Sequence, residues 1–375
     1  MKEMNHTLPA WYLIKNLECT DTPFLAVYPE RIKKNISKAI EMIGDVERLR
    51  PHIKTHKTSE AILLQMEAGI KKFKCATIAE AEMLALAGAP DILLAYQPVG
   101  PKADRLISLI EKYSSSRFAC ILDDKEVAEL LSSKASVAGI RVPVYIDLNV
   151  GMNRTGISPS MASGFYAHCA SLPGIWPVGL HAYDGHISDR DLRERALRCD
   201  QVFKVVEDLK NELVKKGFEK PLIVIGGSPG FPVHAKRENV ECSPGTFIYW
   251  DNGYLQNLPE QAFLPAALVI TRIISMPDET TLCTDLGHKS ISSENELGKR
   301  VFFFNAPELE PVGHSEEHLV LRTTPGHDYA IGDVLYGLPY HICPTCALYE
   351  KVLTVEGGTI TGSWDVVARN RRLGC

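Results

Sequence analysis

Phe73-Lys-Cys-Ala-Thr-Ile-Ala-Glu-Ala-Glu-Met-Leu-Ala-Leu-Ala-Gly-Ala-Pro-Asp-Ile-Leu-Leu-Ala-Tyr96 reads as a strand, a helix and a second strand. Phe73–Thr77 and Ile92–Tyr96 are short apolar runs. Between them, Ala79–Ala87 places Ala81, Leu84 and Ala85 on one helical face, and Gly88 follows as a C-terminal stop. The same unit repeats outward in both directions. Apolar runs at Leu49–Ile53, Phe118–Leu122, Val142–Leu148, Val178–Tyr183, Leu222–Ile225 and Cys242–Ile248 alternate with helical stretches at Ser59–Ala68, Lys102–Tyr113, Lys125–Ser133, Ser160–Ser171 and Ser188–Lys216. Strands alternating with helices predict βα units around a parallel sheet. Eight runs over about 200 residues match the count and size of a (β/α)8 barrel, with a doubly wound sheet as the alternative.

After about Asn257 the texture changes. Leu268–Ser275, Thr280–Asp285, Val301–Asn305, His318–Arg322, Asp333–Leu338 and Tyr349–Val355 are β-rich, separated by turn signals such as Pro325-Gly326 and Gly357-Gly358. This predicts a second, mainly antiparallel β domain. The expected division is a barrel over 20–257 and a β domain over 258–375 joined by 1–19. The early strand Thr22–Tyr28 is a candidate member of the β domain.

Of the 375 residues, 45% are hydrophobic and 23% charged, enough apolar material to exclude a disordered chain. The 41 basic and 46 acidic residues leave a net charge of −5, so nothing favours a nucleic-acid partner. The N-terminus lacks the apolar core of a secretory leader, and no run reaches the ~20 apolar residues of a membrane span. The cytoplasm is the expected compartment. Its redox poise would keep most of the ten cysteines as thiols in the core or at the surface.

Leu49-Arg50-Pro51-His52-Ile53-Lys54-Thr55-His56-Lys57-Thr58 holds the densest chemistry, where the first strand should end. In a barrel that end is the catalytic face. Alternation puts His52, Lys54 and His56 on one side. A lysine between two imidazoles in a barrel mouth can have its pKa lowered, which suits Schiff-base chemistry. The plain alternative is a basic, solvated loop.

Gly226-Gly227-Ser228 and Gly245-Thr246 fall where the seventh and eighth strands end, the usual phosphate site of this architecture. Arg154 could give a directed donor to a phenolate, carboxylate or ring nitrogen. Tyr183 or His181 could flank a planar cofactor. Near the C-terminus, His341-Ile-Cys343 would point an imidazole and a thiolate to one face of an extended segment, enough for one metal ion with open positions. Cys346 is a third ligand by spacing. Two core thiols and a capping histidine are the alternative.

Taken together and in order, these motifs resemble the D-threonine aldolase and D-serine dehydratase family of fold-type III pyridoxal phosphate enzymes, related to alanine racemase. Arg50-Pro51-His52-Ile-Lys54-Thr55-His56-Lys57 resembles the cofactor-lysine motif. Asp147–Gly156, Gly179–Gly185 and Gly226–Ser228 resemble the strand ends around the ring and phosphate, and Pro339–Thr345 resembles the metal motif. The resemblance implies an N-terminal barrel, a C-terminal β domain and a head-to-tail homodimer. The β domain of one subunit would help complete the active site of the other. It matches Lys54, not Lys57, to the cofactor lysine, Arg154 and Tyr183 to positions around the ring, and His341 and Cys343 to the metal ligands. Cys346 matches none.

The implied function is a pyridoxal 5′-phosphate- and metal-dependent lyase for D-β-hydroxy-α-amino acids. The first reading is aldolase cleavage to glycine and an aldehyde; the alternative is D-serine dehydration to pyruvate and ammonia. An imidazole and a thiolate favour zinc, with manganese second. His186 is a candidate base. Rival readings are a racemase using a tyrosine such as Tyr329, a non-catalytic pyridoxal phosphate carrier and an unrelated metal-dependent barrel hydrolase.

Overall fold

A computed structural model describes residues 10–375. Residues 1–9, which the sequence reading groups with the β domain and finds free of a leader's apolar core, lie outside the described residues. The chain divides into two compact units that interleave along the sequence. One comprises Lys33–Ile248, Tyr254–Phe263 and Val366–Cys375; the other comprises residues up to Ile32, Tyr249–Gly253 and Leu264–Asp365.

The first unit is the barrel. Its parallel strands run in sequence order: Lys72–Cys75, Asp91–Leu94, Arg117–Leu122, Val142–Leu148, Ile175–Ala182, Leu222–Ile225 and Glu241–Cys242. Leu49–Ile53 supplies the eighth position. Leu49 bridges Cys242 on one side and His52 bridges Lys74 on the other. Arg50 N donates to Cys242 O and His52 N to Pro244 O at 2.9 Å each, and Lys74 N donates to Pro51 O at 2.8 Å. Pro51 has no N–H, so the segment closes the barrel through isolated bridges. The expected eighth strand is cut short for a related reason. Pro244 and Gly245 follow Cys242, and Thr246–Ile248 forms a 3-10 turn.

The helices carry their own punctuation. Thr77 caps Ile78–Leu86 by accepting from Glu80 N, and Gly88, at φ 85, follows its end. The long helix begins at Leu192 rather than Ser188, because Asp191 accepts from Arg193 N and Glu194 N. Leu93, Ala119, Ile121, Tyr145 and Val224, from four of the strands, form an apolar cluster inside the barrel. Below them Arg50 is buried and bonded to Asp91 at 2.5 Å and Glu241 at 2.6 Å. Residues 366–375 also belong here, with Ala368 N donating to Lys57 O.

The second unit is a mainly antiparallel sheet of nine strands among the described residues. Phe24–Val27 sits at its centre, antiparallel to Ala267–Asp278 and parallel to Lys351–Glu356. The early strand therefore joins this sheet. Glu310–His314 and Thr359–Asp365 are strands that hydrophobic alternation does not flag. The first contains Pro311 and Gly313, and most residues of the second are at least partly exposed, so neither needs an apolar face. No helix among the described residues is long and apolar enough to cross a membrane.

Candidate active site

The Leu49–Ile53 segment brings His52 to the open end of the barrel, and the chain then turns, with Lys57 N donating to Ile53 O at 3.1 Å. The turn breaks the alternation expected through His56. His52 and Lys54 line a cavity of about 380 Å3 with Lys74, Asp147, Arg154, His181 and Tyr183. His56 is instead buried away from it, accepting from Thr58 N at 3.2 Å, with Gln65 Nε2 3.4 Å from its Nε2. Burial pushes the His56 imidazole down to about 3.

The two lysines of the loop have different surroundings. Lys57 Nζ is paired with the buried carboxylate of Glu80. Lys54 Nζ faces the Tyr183 ring, 6.0 Å from its centroid, and has no hydrogen-bond partner among the described residues. Lys74 Nζ lies at the same 6.0 Å, and the Arg154 guanidinium at 5.0 Å. Three basic side chains thus surround one aromatic ring. Burial, then the charges of Lys54 and Lys74, hold the His52 imidazole well below its ordinary range.

His181 Nδ1 lies 2.6 Å from Asp147 Oδ1, and its Nε2 lies 3.4 Å from Lys74 Nζ. Burial lowers the His181 pKa although the Asp147 carboxylate opposes it. The sequence offered weak signals for these groups. Lys74 is a charge inside an apolar run, and Asp147 opens a motif in which only Arg154 received a role.

The two glycine loops meet. Gly226 adopts φ +80, and a side chain there would strike His234; a Cβ on Gly227 would lie 2.9 Å from the Tyr183 ring. Ser228 Oγ accepts from Gly245 N and Thr246 N at 3.3 Å each. A Cβ on Gly245 would stand 2.9 Å from His52 O. Two backbone N–H groups therefore converge on one oxygen beside residues of the cavity, the donor arrangement that suits a phosphate.

His186 is not among the cavity residues. Its ring packs against Gly151, where a Cβ would come within 2.7 Å of Nε2. A neighbouring cluster of Asp184, Cys199 and His234 has metal-ligating atoms within 4.8 Å of one another, all buried. Its hydrogen bonds argue against an ion. Arg237 Nε donates to His234 Nδ1 at 3.1 Å, which leaves His234 Nε2 protonated towards Asp184 Oδ2 at 2.7 Å. Burial also pushes the Cys199 thiol up to about 12.

In the β unit, His341 is the N-cap of the helix Ile342–Leu348. His341 and Cys343 therefore meet at a helix N-terminus, not by alternation along an extended segment. Burial alone would lower the His341 imidazole. Its hydrogen bond with Cys343 and the carboxylates of Glu294 and Asp251 outweigh that and raise it to about 9. Glu294 Oε1 lies 2.5 Å from His341 Nδ1, and Asp251 Oδ2 accepts from Ile342 N at 3.1 Å. A carboxylate on Nδ1 leaves Nε2 to face an ion, the usual way a ligating histidine is oriented. The donor set fits a divalent metal, with Glu294 behind the imidazole. Cys346 is buried.

Residues 27–253 match the family described as "Alanine racemase, N-terminal domain", and residues 266–355 match the family described as "Putative serine dehydratase domain". The D-threonine aldolase of Arthrobacter sp is 27% identical over 93% of this chain and 93% of its own length. The D-threo-3-hydroxyaspartate dehydratase of Delftia sp. (strain HT23) is 22% identical over 92% of this chain and 97% of its own. The crystal structure of D-threonine aldolase from Filomicrobium marinum superposes with a TM-score of 0.87 at 26% identity, covering 96% of this chain and 98% of that one.

Proposed function

The chain belongs to the alanine racemase N-terminal domain family, and from that premise we propose that it is a pyridoxal 5′-phosphate- and divalent-metal-dependent lyase acting on D-β-hydroxy-α-amino acids. The observation that carries this reading is the Lys54 amine, unpartnered among the described residues, which faces Tyr183 in a cavity whose His52 adjoins the Gly245 loop. Lys54 would hold the cofactor through Nζ. Ser228 Oγ, Gly245 N and Thr246 N would hold its phosphate, with Gly226 and Gly227 keeping the loop close. Arg154, Tyr183 and His52 would flank its ring. When bound, the cofactor supplies a sink for the electron pair left at the substrate Cα.

His341 and Cys343 would hold the ion, zinc by the softness of the thiolate, and a bound ion would supply Lewis acidity towards a β-hydroxyl. Glu294 fixes the imidazole. In the dehydratase reading Lys54 would take the proton at Cα. The aldolase reading comes first, supported by likeness to the aldolase relatives. The match of residues 266–355 to a serine dehydratase domain keeps the dehydratase as a second reading.

Incubation with D-threonine and with D-serine decides between them. Glycine and acetaldehyde from D-threonine are expected, with activity lost on chelation and restored by zinc. Keto acid and ammonia would establish the dehydratase. Full activity without metal would remove the ion from the account, and inertness towards both substrates with pyridoxal phosphate bound would overturn the lyase reading.

A further inference from the structure

Lys74 is a lysine in an unusual position. It lies on the strand Lys72–Cys75, is only 3% exposed and lines the cavity. Its side chain forms no ion pair among the described residues, and its one hydrogen-bond partner there is His181 Nε2, at 3.4 Å. His181 Nδ1 points its proton at Asp147, 2.6 Å away, so Nε2 offers a lone pair and occupies one of the three ammonium donors. The other two have no acceptor among the described residues.

The charges facing Lys74 do not compensate for this. Lys54 and Arg50 repel it, while Asp147 and Asp184 attract it from beyond contact distance. His52 and His181 are held towards the neutral form by burial. Arg154 lies across the Tyr183 ring, and the ring itself offers Lys74 only its face. Burial first and Lys54 second bring the Lys74 amine down to about 7. A cavity with three basic side chains, and one carboxylate already engaged by a histidine, lacks a negative charge.

We propose that Lys74 is the receptor for an organic oxyanion, a carboxylate or a phenolate, on the molecule that fills the cavity, and that binding this anion places a proton on Lys74. The proposal rests on the reading that pyridoxal phosphate and an amino acid occupy this cavity. The shared chemistry has two sources, the cofactor's ring phenolate and the substrate's carboxylate. The proton comes from solvent and stays on Nζ while the anion is bound; no bond to carbon forms or breaks.

Titration calorimetry at pH 8, in two buffers of different ionisation enthalpy, counts the protons taken up on binding. In one arm 4′-deoxypyridoxine 5′-phosphate, which has the phenolate and phosphate but no aldehyde, is added to the cofactor-free full chain. In the other, propionate, which has the carboxylate but no amine to displace Lys54, is added to the cofactor-loaded enzyme. Uptake approaching one proton is expected in one arm, and that arm identifies the phenolate or the carboxylate. Lys74→Met should abolish the uptake and weaken binding about tenfold or more. Lys74→Arg, which is charged before binding, should abolish the uptake while keeping affinity within a few-fold, and it tests the idea even if the methionine variant does not fold. Unchanged uptake in a folded variant, or no uptake in either arm of the parent, would overturn the proposal. Failure of pyridoxal phosphate itself to bind the parent would instead overturn the cofactor reading on which it rests.

Discussion

Two buried carboxylate–histidine pairs each take one member from the end of the same barrel strand, Ile175–Ala182, where His181 lies and which Asp184 follows, and they serve different ends. In the first, Asp147 and His181 are 2.6 Å apart, and the far nitrogen of His181 turns to Lys74 in the cavity. In the second, Asp184 and His234 are 2.7 Å apart, and the far nitrogen is stopped by Arg237. Cys199 covers Asp184 from another side, with its thiol 3.6 Å from Oδ2. The first pair opens onto space for a ligand. The second is closed by Arg237 and Cys199 and lies beneath Gly226 and Gly230, where added side chains would strike it. Identical chemistry therefore becomes reactive or structural according to what its last nitrogen meets.

Breaking the closed pair should have the largest effect. Asp184→Ala leaves the buried His234 without its carboxylate and should cost about 3 kcal/mol in urea unfolding of the full chain. A loss below about 1 kcal/mol would show that the pair does not hold the glycine loop. The open pair should respond in rate instead. Asp147→Asn preserves shape but removes the charge that fixes His181, so kcat/KM should fall on the order of 100-fold while the urea midpoint moves little. An unchanged rate would make the two pairs equivalent. The smallest effect belongs to the edge of the closed cluster. Cys199→Ala removes a weak donor and a small volume, about 1 kcal/mol of stability, with activity retained. Loss of a stoichiometric bound metal on that substitution would instead reveal an ion in the closed cluster.

Much of the barrel was legible because parallel strands and amphipathic helices impose different periods on the sequence. The exceptions have local causes. Pro51 and Pro244 prevent regular ladders where the barrel closes, so apolar runs there overstate the strands. Glu310–His314 and Thr359–Asp365 are strands with little to bury, which removes the signal.

The chemistry was legible where it was contiguous. His52 and Lys54 do share the cavity, but Lys57 N bonding to Ile53 O turns the chain and sends His56 elsewhere. His341 and Cys343 do meet, through a helix N-cap that alternation could not foresee. Lys74 was hidden by its neighbours. Lys72 and Lys74 share a strand face, yet Lys72 reaches Glu241 at 2.7 Å near the strand's start while Lys74 reaches the cavity. Depth along the barrel, not alternation, separates them. Asp184, Cys199 and His234 are brought together by tertiary structure alone, and Glu294 reaches His341 across 47 residues.

The central claim is that Lys54, rather than Lys57 or Lys74, carries the cofactor. Borohydride reduction of the protein loaded with pyridoxal phosphate, followed by peptide mapping, reads that attachment directly. The expected result is one pyridoxyl group per chain, on Lys54, with loss of the visible absorbance band in Lys54→Ala. A pyridoxyl group on Lys57, held by Glu80 in this structure, or on Lys74 would contradict the account.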